Sequence, residues 1–436
     1  METQMNKFKK RRDELCRELN ADSVIIVVGN TSKARSKNIQ YHFRPDNDLF
    51  YLTGFIEPNA VAVIRPEHSD CFSMFLRAND HNAEISFGER VGLEKVKHDF
   101  GVDLAFDIEK IDEQLPALLE NRKNVYLLDE QGIYTDQIFS WVNKQRRSTG
   151  FDVVKHFRNI MSLQPYIHNK RRIKSEHEIK QIRQAVEASI SGHKLMMSEC
   201  KPGLNELHLS AIFDREIANF GCREVSYPSI VASGNNACCL HYEDNNDELT
   251  NGNLVLIDAG AEYQFYCADI TRTFPINGKF SEPQKQIYQI VLNALDAAIA
   301  VVKPGACWSS IYRACEIELT KGLIELGIIS GTVEEALDKG LHKAYSVHKT
   351  GHWLGLDVHD VGSYHDESGN WVRLEENMVF TIEPGLYFSK DCQSVDEKWR
   401  GMGVRIEDDI LVTASGAENM SQSIPRTIKE IEEIMK

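Results

Sequence analysis

An ordered set of four features occurs twice in the second half of the chain, and it narrows the possible folds more than anything else. The first pass runs through a helical stretch, SEHEIKQIRQAVEASI, to a break at Lys201-Pro202-Gly203. An amphipathic stretch, NELHLSAIFDREIANFG, and an apolar run, NLVLIDAG from Asn253, complete it. The second pass runs SEPQKQIYQIVLNAL, Lys303-Pro304-Gly305, SSIYRACEIELTKGLIELG and NMVFTIEPG from Asn377. Proline ends a helix because it lacks the N–H and crowds the preceding turn, and glycine supplies the left-handed residue that closes one. Each pass therefore reads helix, break, helix, strand. Two such halves predict an α+β domain with pseudo-two-fold symmetry and a site on its axis.

The first part of the chain reads differently. Residues 22–165 alternate between strands and helices, with DSVIIVVGN, AVAVIRP and NVYLLDE as strand-like runs bounded by turn residues. A polar, basic stretch, QPYIHNKRRIKSEHEIKQI, separates the parts. Within it, Ser175 and Glu178 form a capping box ahead of Ile179, Ile182 and Val186. The expected layout is a smaller α/β domain over residues 1–171 and the repeat-containing domain over 172–436. A length of 436 residues gives both ample core.

Composition closes off several function classes. The chain carries 50 Lys+Arg against 65 Asp+Glu, a net charge of −15, which argues against a nucleic-acid binder. At 42% hydrophobic and 26% charged residues it is neither disordered nor collagen-like. No apolar run reaches the roughly 18 residues of a membrane-spanning helix, so no membrane partner is expected. The N-terminus, METQMNKFKKRRDELC, lacks the apolar core of a signal peptide. Its basic cluster, Lys9-Lys10-Arg11-Arg12, is broken up by Asp13, Glu14 and Glu18, and Leu15 and Leu19 stand at helical spacing. A solvated first helix is the better reading than a targeting segment or nucleic-acid arm. Ten scattered cysteines without paired spacing, Cys238-Cys239 included, read as reduced core thiols of a cytoplasmic protein.

The chemistry lies where the acids fall. The run NLVLIDAG ends with Asp258, and NMVFTIEPG ends with Glu383. A carboxylate ending a buried strand is costly unless something pairs with it. Asp269 follows Asp258 by eleven residues, in FYCADITRTF, and Glu407 follows Glu383 by twenty-four, in GVRIEDDILVT. Each half thus offers two acids on two expected, paired strands. Four convergent carboxylates repel one another, and two divalent cations resolve that conflict. Oxygen-rich sites with a minority of imidazole suit Mn²⁺, Co²⁺ or Zn²⁺. His352, in HKTGHWLGLDVHDVG, is the imidazole candidate, with His348 and His359 in the same glycine-rich segment and His241 in CCLHYEDNN. For any one histidine alone, an ordinary core or surface role is the more common outcome; three within twelve residues shift that balance. Paired ions about 3.5–4 Å apart hold a bridging hydroxide and polarise a carbonyl, which is amide-hydrolysis chemistry. No G-x-S-x-G elbow, H-E-x-x-H helix, P-loop or G-x-G-x-x-G competes.

At these residues the sequence resembles the pita-bread metallopeptidases, the creatinase and methionine aminopeptidase-like fold, and within them aminopeptidase P. The resemblance rests on LIDAGAEYQFYCADITRTFP, GHWLGLDVHDVG, TIEPGLYF and GVRIEDDILVT, with FRPDNDLFYLTGF similar to a segment of that family's N-terminal, creatinase-N-like domain. It implies that Asp258 binds one ion, Asp269 and Glu407 bridge two, and His352 and Glu383 complete the ligand set of the second ion. It further implies that His359 and His241 hold substrate, that His348 lines a proline pocket, and that Glu383 carries a proton to the leaving nitrogen. Arg405 would orient a carboxylate ligand, with a strand-edge salt bridge as the alternative. Asp48 would help to close the site, or serve merely as a turn acid. In AEISFGERVG, Ser86 stands where the family often has tryptophan, which puts one wall of the pocket in doubt. The implied enzyme is a manganese-dependent Xaa-Pro aminopeptidase acting on peptides with penultimate proline, and a homodimer or homotetramer. Prolidase and a catalytically inactive peptidase-like binding module remain as alternatives.

Overall fold

The computed structural model describes residues 4–148 and 159–436, so the first three residues of the N-terminal stretch lie outside the described residues. The chain divides into two compact units, Met1–Ile167 and His168–Lys436. The expected boundary after residue 171 falls inside the helix Gln164–Arg172.

The first unit is built on a six-stranded mixed sheet. Its strand order is Leu104–Asp107, Phe72–Leu76, Val61–Ile64, Ser23–Val28, Asn124–Leu128 and Asn159–Ser162. Strand Ser23–Val28 is buried on both faces, which is why SVIIVV shows no alternation. The core gathers Val24, Ile26, Val63, Phe75, Leu115 and Trp141. One expectation fails here. The first helix, Gln4–Glu18, is not simply solvated, because Arg11 and Arg12 are buried. Arg11 Nη1 donates to Tyr51 O at 2.9 Å and Arg12 Nη1 to Leu52 O at 2.8 Å. Both carbonyls lie near the end of the helix Asn47–Thr53. The basic cluster therefore satisfies carbonyls that the helix leaves unpaired, at the end where its dipole favours cations.

The second unit carries the duplication. Helix Glu176–Glu199 packs on Glu206–Ala218, and Glu282–Ala300 packs on Trp308–Glu325. Both long helices open with a capping box, Ser175 with Glu178 and Ser281 with Gln284. Both breaks place glycine in left-handed backbone, Gly203 at φ +85° and Gly305 at φ +81°. Both glycines then donate to a distant carbonyl, Gly203 N to Leu249 O at 3.0 Å and Gly305 N to Leu374 O at 2.8 Å. Equivalent bridges follow, Asn205 with Glu248 and Cys307 with Arg373. The halves share hydrogen-bonding geometry as well as element order.

The strands refine the expectation about the acids. Leu254–Asp258 pairs antiparallel with Thr271–Pro275, Asp258 opposite Thr271. Val379–Ile382 pairs with Asp408–Thr413, Ile382 opposite Asp408. Beyond these ladders each half continues as a second hairpin, Ala261–Tyr263 with Tyr266–Cys267 and Gly385–Phe388 with Met402–Arg405. Asp258 ends its strand, whereas Asp269, Glu383 and Glu407 lie in the gaps between one ladder and the next rather than on paired strands. Interrupted pairing lets their carboxylates turn inward from both halves.

Of the cysteines, Cys222, Cys267 and Cys315 are buried, while Cys239 is exposed and the others are half-buried, so core thiols describe only three of the ten. Among the described residues no helix is long and apolar enough to cross a membrane.

Candidate metal centre

The first half supplies Asp258 and Asp269, held together by a close backbone crossing. Ala259 N donates to Ile270 O at 3.0 Å and Ala268 N to Ala261 O at 3.1 Å. Gly260 permits this approach, since a Cβ there would stand 1.8 Å from Ala268 O. The second half supplies Glu383 and Glu407, tied to the first by Glu407 N donating to Thr271 O at 3.1 Å. Arg272, fully buried, donates to Glu407 O at 2.7 Å and to Asp408 Oδ1 at 2.6 Å. His352 comes from an irregular segment clamped along strand Val379–Ile382. Thr381 N donates to His352 O at 2.9 Å and Glu383 N to Thr350 O at 2.8 Å. Gly351 fits only because it has no side chain, its Cβ position lying 2.0 Å from Thr381 O.

These residues meet in one cavity of about 280 Å³, whose lining includes Asp258, Asp269, His352, Glu383, Glu407, Arg405, His241, His348 and His359. Asp269, His352 and Glu407 each present a ligand atom within 4.8 Å of the others. His352 Nε2 lies 3.3 Å from Asp269 Oδ2 and 3.6 Å from Glu383 Oε1. Its Nδ1 is 3.0 Å from Trp353 O. That contact favours the Nδ1–H tautomer and points the Nε2 lone pair at the acids, as a metal-binding imidazole requires.

The electrostatics describe a site short of positive charge. Burial drives Glu383 up to about 7, against the pull of His352 and Arg405. Burial, with the neighbouring acids, also raises Asp269 and lifts Glu407 well above the carboxylate range. Burial opposes charge on His352, yet its bond to Asp269 and the Glu383 charge carry it up to about 9. Four carboxylates facing one arginine and, of the lining imidazoles, only His352 drawn to its charged form fit divalent cations, and a donor set of carboxylate oxygens with the His352 nitrogen suits hard to borderline ions.

Around the acids lies a shell of partners. Arg405 Nη2 donates to Asp258 Oδ2 at 2.5 Å, its Nη1 to Tyr387 Oη at 3.0 Å and its Nε to Thr271 Oγ1 at 3.2 Å. Thr271 Oγ1 in turn donates to Glu407 Oε2 at 2.7 Å. His348 Nε2 accepts from Tyr387 Oη at 2.8 Å, and its Nδ1 lies 2.8 Å from Lys349 O and 3.4 Å from Glu383 Oε2. Burial, with Arg405 nearby, pushes His348 down to about 4, so it is neutral. The rings of His352 and His359 stand edge to face at 4.4 Å. His241 and His359 are exposed at the cavity. Asp48 lies buried in the first turn of Asn47–Thr53, and Ser86 is exposed beside Phe87 on His81–Phe87, both in the first unit.

Sequence reasoning passed over three groups. Tyr227 Oη hydrogen-bonds both Asp258 Oδ1 and Asp269 Oδ1. Burial, with the charges of those acids, raises its phenol well above the usual range, so it stays a protonated donor between two carboxylates. Its segment, REVSYPSIV, carries no acid or histidine pattern to mark it. Asp409 Oδ2 accepts from Asp269 N at 3.2 Å, directly behind that acid. Tyr387 lies within TIEPGLYF, four residues after Glu383, and that spacing was the available signal.

Comparison with known proteins agrees with this geometry. The pattern of metallopeptidase family M24 matches residues 180–414, and that of the aminopeptidase P N-terminal domain matches residues 8–126. A Xaa-Pro aminopeptidase of Escherichia coli is 38% identical over 436 residues, covering 100% of this chain and 98% of the relative. The structure of Pseudomonas aeruginosa aminopeptidase PepP superposes with a TM-score of 0.95 at 40% identity, covering 98% of this chain and 97% of that one. A zinc-substituted Escherichia coli aminopeptidase P in complex with product gives a TM-score of 0.95 at 37% identity, covering 100% and 99%. With an aminopeptidase P N-terminal domain ahead of a pita-bread domain, and acids from both halves of the repeat lining one cavity, the chain belongs to metallopeptidase family M24, in its aminopeptidase P branch.

Proposed function

We infer that this chain is a Xaa-Pro aminopeptidase, a metal-dependent hydrolase that releases the N-terminal residue from peptides with proline in second position. The observation that carries the reading is the convergence of Asp258, Asp269, His352, Glu383 and Glu407 on one cavity beside the His348–Tyr387–Arg405 chain. It is supported by similarity to Xaa-Pro aminopeptidases over the full chain. The cavity would take two divalent ions, Mn²⁺ in preference to Co²⁺ or Zn²⁺, and Asp258, Asp269, His352, Glu383 and Glu407 would hold them. When bound, such a pair activates a water molecule and polarises the scissile carbonyl.

The chain's own groups do the rest. Arg405 and Tyr227 fix the carboxylates of Asp258 and Asp269 so that their lone pairs keep one orientation. His359 and His241, exposed at the cavity, donate to the substrate carbonyl and hold the developing oxyanion. Glu383 passes a proton to the departing proline nitrogen, a tertiary amide nitrogen that leaves only after protonation. Neutral His348, held by Tyr387, presents its ring to the proline. The protein acts in the cytoplasm as a homodimer or homotetramer.

The deciding experiment is a paired assay with Mn²⁺, using an Ala-Pro-Ala tripeptide and an Ala-Pro dipeptide. Cleavage of the tripeptide is expected. Cleavage of the dipeptide alone would identify a prolidase instead, and hydrolysis of neither with metal bound would mark a binding module.

A further inference from the structure

We propose that Glu243 is a specificity-determining residue of this cavity and selects peptides that carry a cationic side chain next to the proline. This rests on the peptidase reading and adds a substrate class to it.

The loop that bears Glu243 is fixed on both sides. Tyr242 Oη donates to Glu206 Oε2 at 2.8 Å, and Asp247 N donates to the same oxygen at 3.0 Å. Glu206 is fully buried, and its other oxygen accepts from Ser233 N at 2.7 Å and Asn236 Nδ2 at 3.1 Å. Asn245 is buried in left-handed backbone at φ +46°. Its Oδ1 accepts from Val231 N and its Nδ2 donates to Ser229 O, each at 2.7 Å. Glu243 thus sits between two anchored neighbours, and its backbone position is set by the fold.

Glu243 is exposed and lines the same cavity as the metal-centre acids, and it forms no hydrogen bond or ion pair among the described residues. The other lining acids are engaged. Asp258 has Arg405 and Tyr227, Asp269 has Tyr227 and His352, Glu383 has His352, and Glu407 has Thr271. Divalent ions, when bound, would balance that group, and Arg405, the guanidinium in the lining, is committed to Asp258. Among the described residues, Glu243 is the lining acid with no protein partner, its carboxylate left to solvent. Leu240 and Val358 add apolar surface to the same lining. An aliphatic stem ending in a cation matches that combination, the stem on apolar surface and the charge on a carboxylate.

The test is a ratio. kcat/KM is measured for Arg-Pro-Ala against citrulline-Pro-Ala, and for Ala-Pro-Arg against Ala-Pro-citrulline, in the metal-loaded full chain and in Glu243→Gln. Citrulline keeps the shape of arginine and removes its charge. One arginine peptide is expected to exceed its citrulline partner by about 3- to 10-fold at low salt, with the advantage shrinking as salt rises. Whichever pair responds identifies the side of the scissile bond that faces Glu243. Glu243→Gln should bring that ratio to about 1, and Glu243→Lys should invert it. A ratio near 1 in the unaltered enzyme overturns the proposal. So does a ratio that survives Glu243→Gln, or a loss in that variant that lowers both peptides equally, as a merely structural role would give. Failure to cleave Ala-Pro-Ala at all would instead overturn the peptidase reading, and this inference with it.

Discussion

Replacing Gly260 by alanine tests whether the close crossing of the first-half strands sets the metal centre. The added Cβ would stand 1.8 Å from Ala268 O and 3.2 Å from Asp269 N, whereas real Cβ atoms essentially never approach within 3.0 Å. The crossing must therefore open by at least 3.0 − 1.8 = 1.2 Å. Little around it can yield. Ala268 is held through Ala268 N to Ala261 O at 3.1 Å, and its neighbour through Cys267 N to Gly355 O at 2.8 Å. On the other side, Gly260 O accepts from Ser226 N at 2.8 Å. The displacement passes directly to Asp269, the residue after Ala268, or to Asp258, two residues before Gly260. A misplacement of about 1 Å at reacting groups costs roughly 10²-fold in rate, and overpacking of this kind costs about 1–3 kcal/mol of stability. Gly260→Ala is therefore expected to lose about 100-fold or more in kcat/KM for Ala-Pro-Ala, to bind its metal more weakly by titration calorimetry, and to melt several degrees lower. Gly416→Ala is the control: its backbone is not left-handed and the nearest atom to the added Cβ, Val302 O, is 3.9 Å away. Gly260→Ala with activity within about 3-fold of the parent and unchanged metal affinity would refute the argument.

Four further outcomes follow from the same geometry. Asp360 is buried against Lys174 Nζ at 3.0 Å and Arg171 Nη2 at 2.6 Å, and although burial opposes its charge, these cations hold its carboxyl below the usual range. Its stabilising contribution is complete above the unfolded carboxylate value, about 3.9, and is lost as pH falls below that through the folded value. Asp360→Asn should destabilise the protein by about 3–5 kcal/mol in urea unfolding at pH 7, a gap that narrows below pH 4; a pH-independent gap would contradict the pairing. Arg405→Lys cannot keep the contacts to Asp258, Tyr387 and Thr271 together. It should lower metal affinity or kcat/KM by about 10- to 100-fold, measured by metal titration alongside peptide hydrolysis. Asp269→Ala and Glu407→Ala should abolish turnover, and elemental analysis should show metal lost; near-normal activity with full metal content would refute the shared-ligand roles. Removing metal with a chelator should stop hydrolysis and lower the melting temperature, because buried carboxylates then face one another unbalanced, and added Mn²⁺ should restore both.

Much of the second unit was legible because its constraints are local and doubled. A proline that cannot continue a helix and a glycine that alone tolerates left-handed backbone mark the same turn twice, and Gly203 and Gly305 adopt nearly the same φ. The acids were legible for a related reason, since a carboxylate closing LVLI or VFTI has no inexpensive structural role. What spacing could not reveal is that Asp269, Glu383 and Glu407 stand where one β-ladder stops and the next begins, because pairing is decided by the partner strand and not by the residue's own neighbours. The same limit hid Tyr227, whose role depends on two acids 31 and 42 residues away, and made Arg11 and Arg12 look like surface charge although their partners are carbonyls 40 residues on. Local sequence names the groups that must be neutralised; the fold decides which groups neutralise them. Asp258 shows the division: sequence marks it as a buried acid, but only the hairpin Gly385–Phe388 with Met402–Arg405 brings Arg405 from the other half to its second oxygen. The pseudo-symmetry therefore also arranges the partners of the cavity's acids. An acid of each half takes a hydrogen bond from a group of the other, Asp258 from Arg405 and Glu407 from Thr271, so the two halves orient the cavity's carboxylates together.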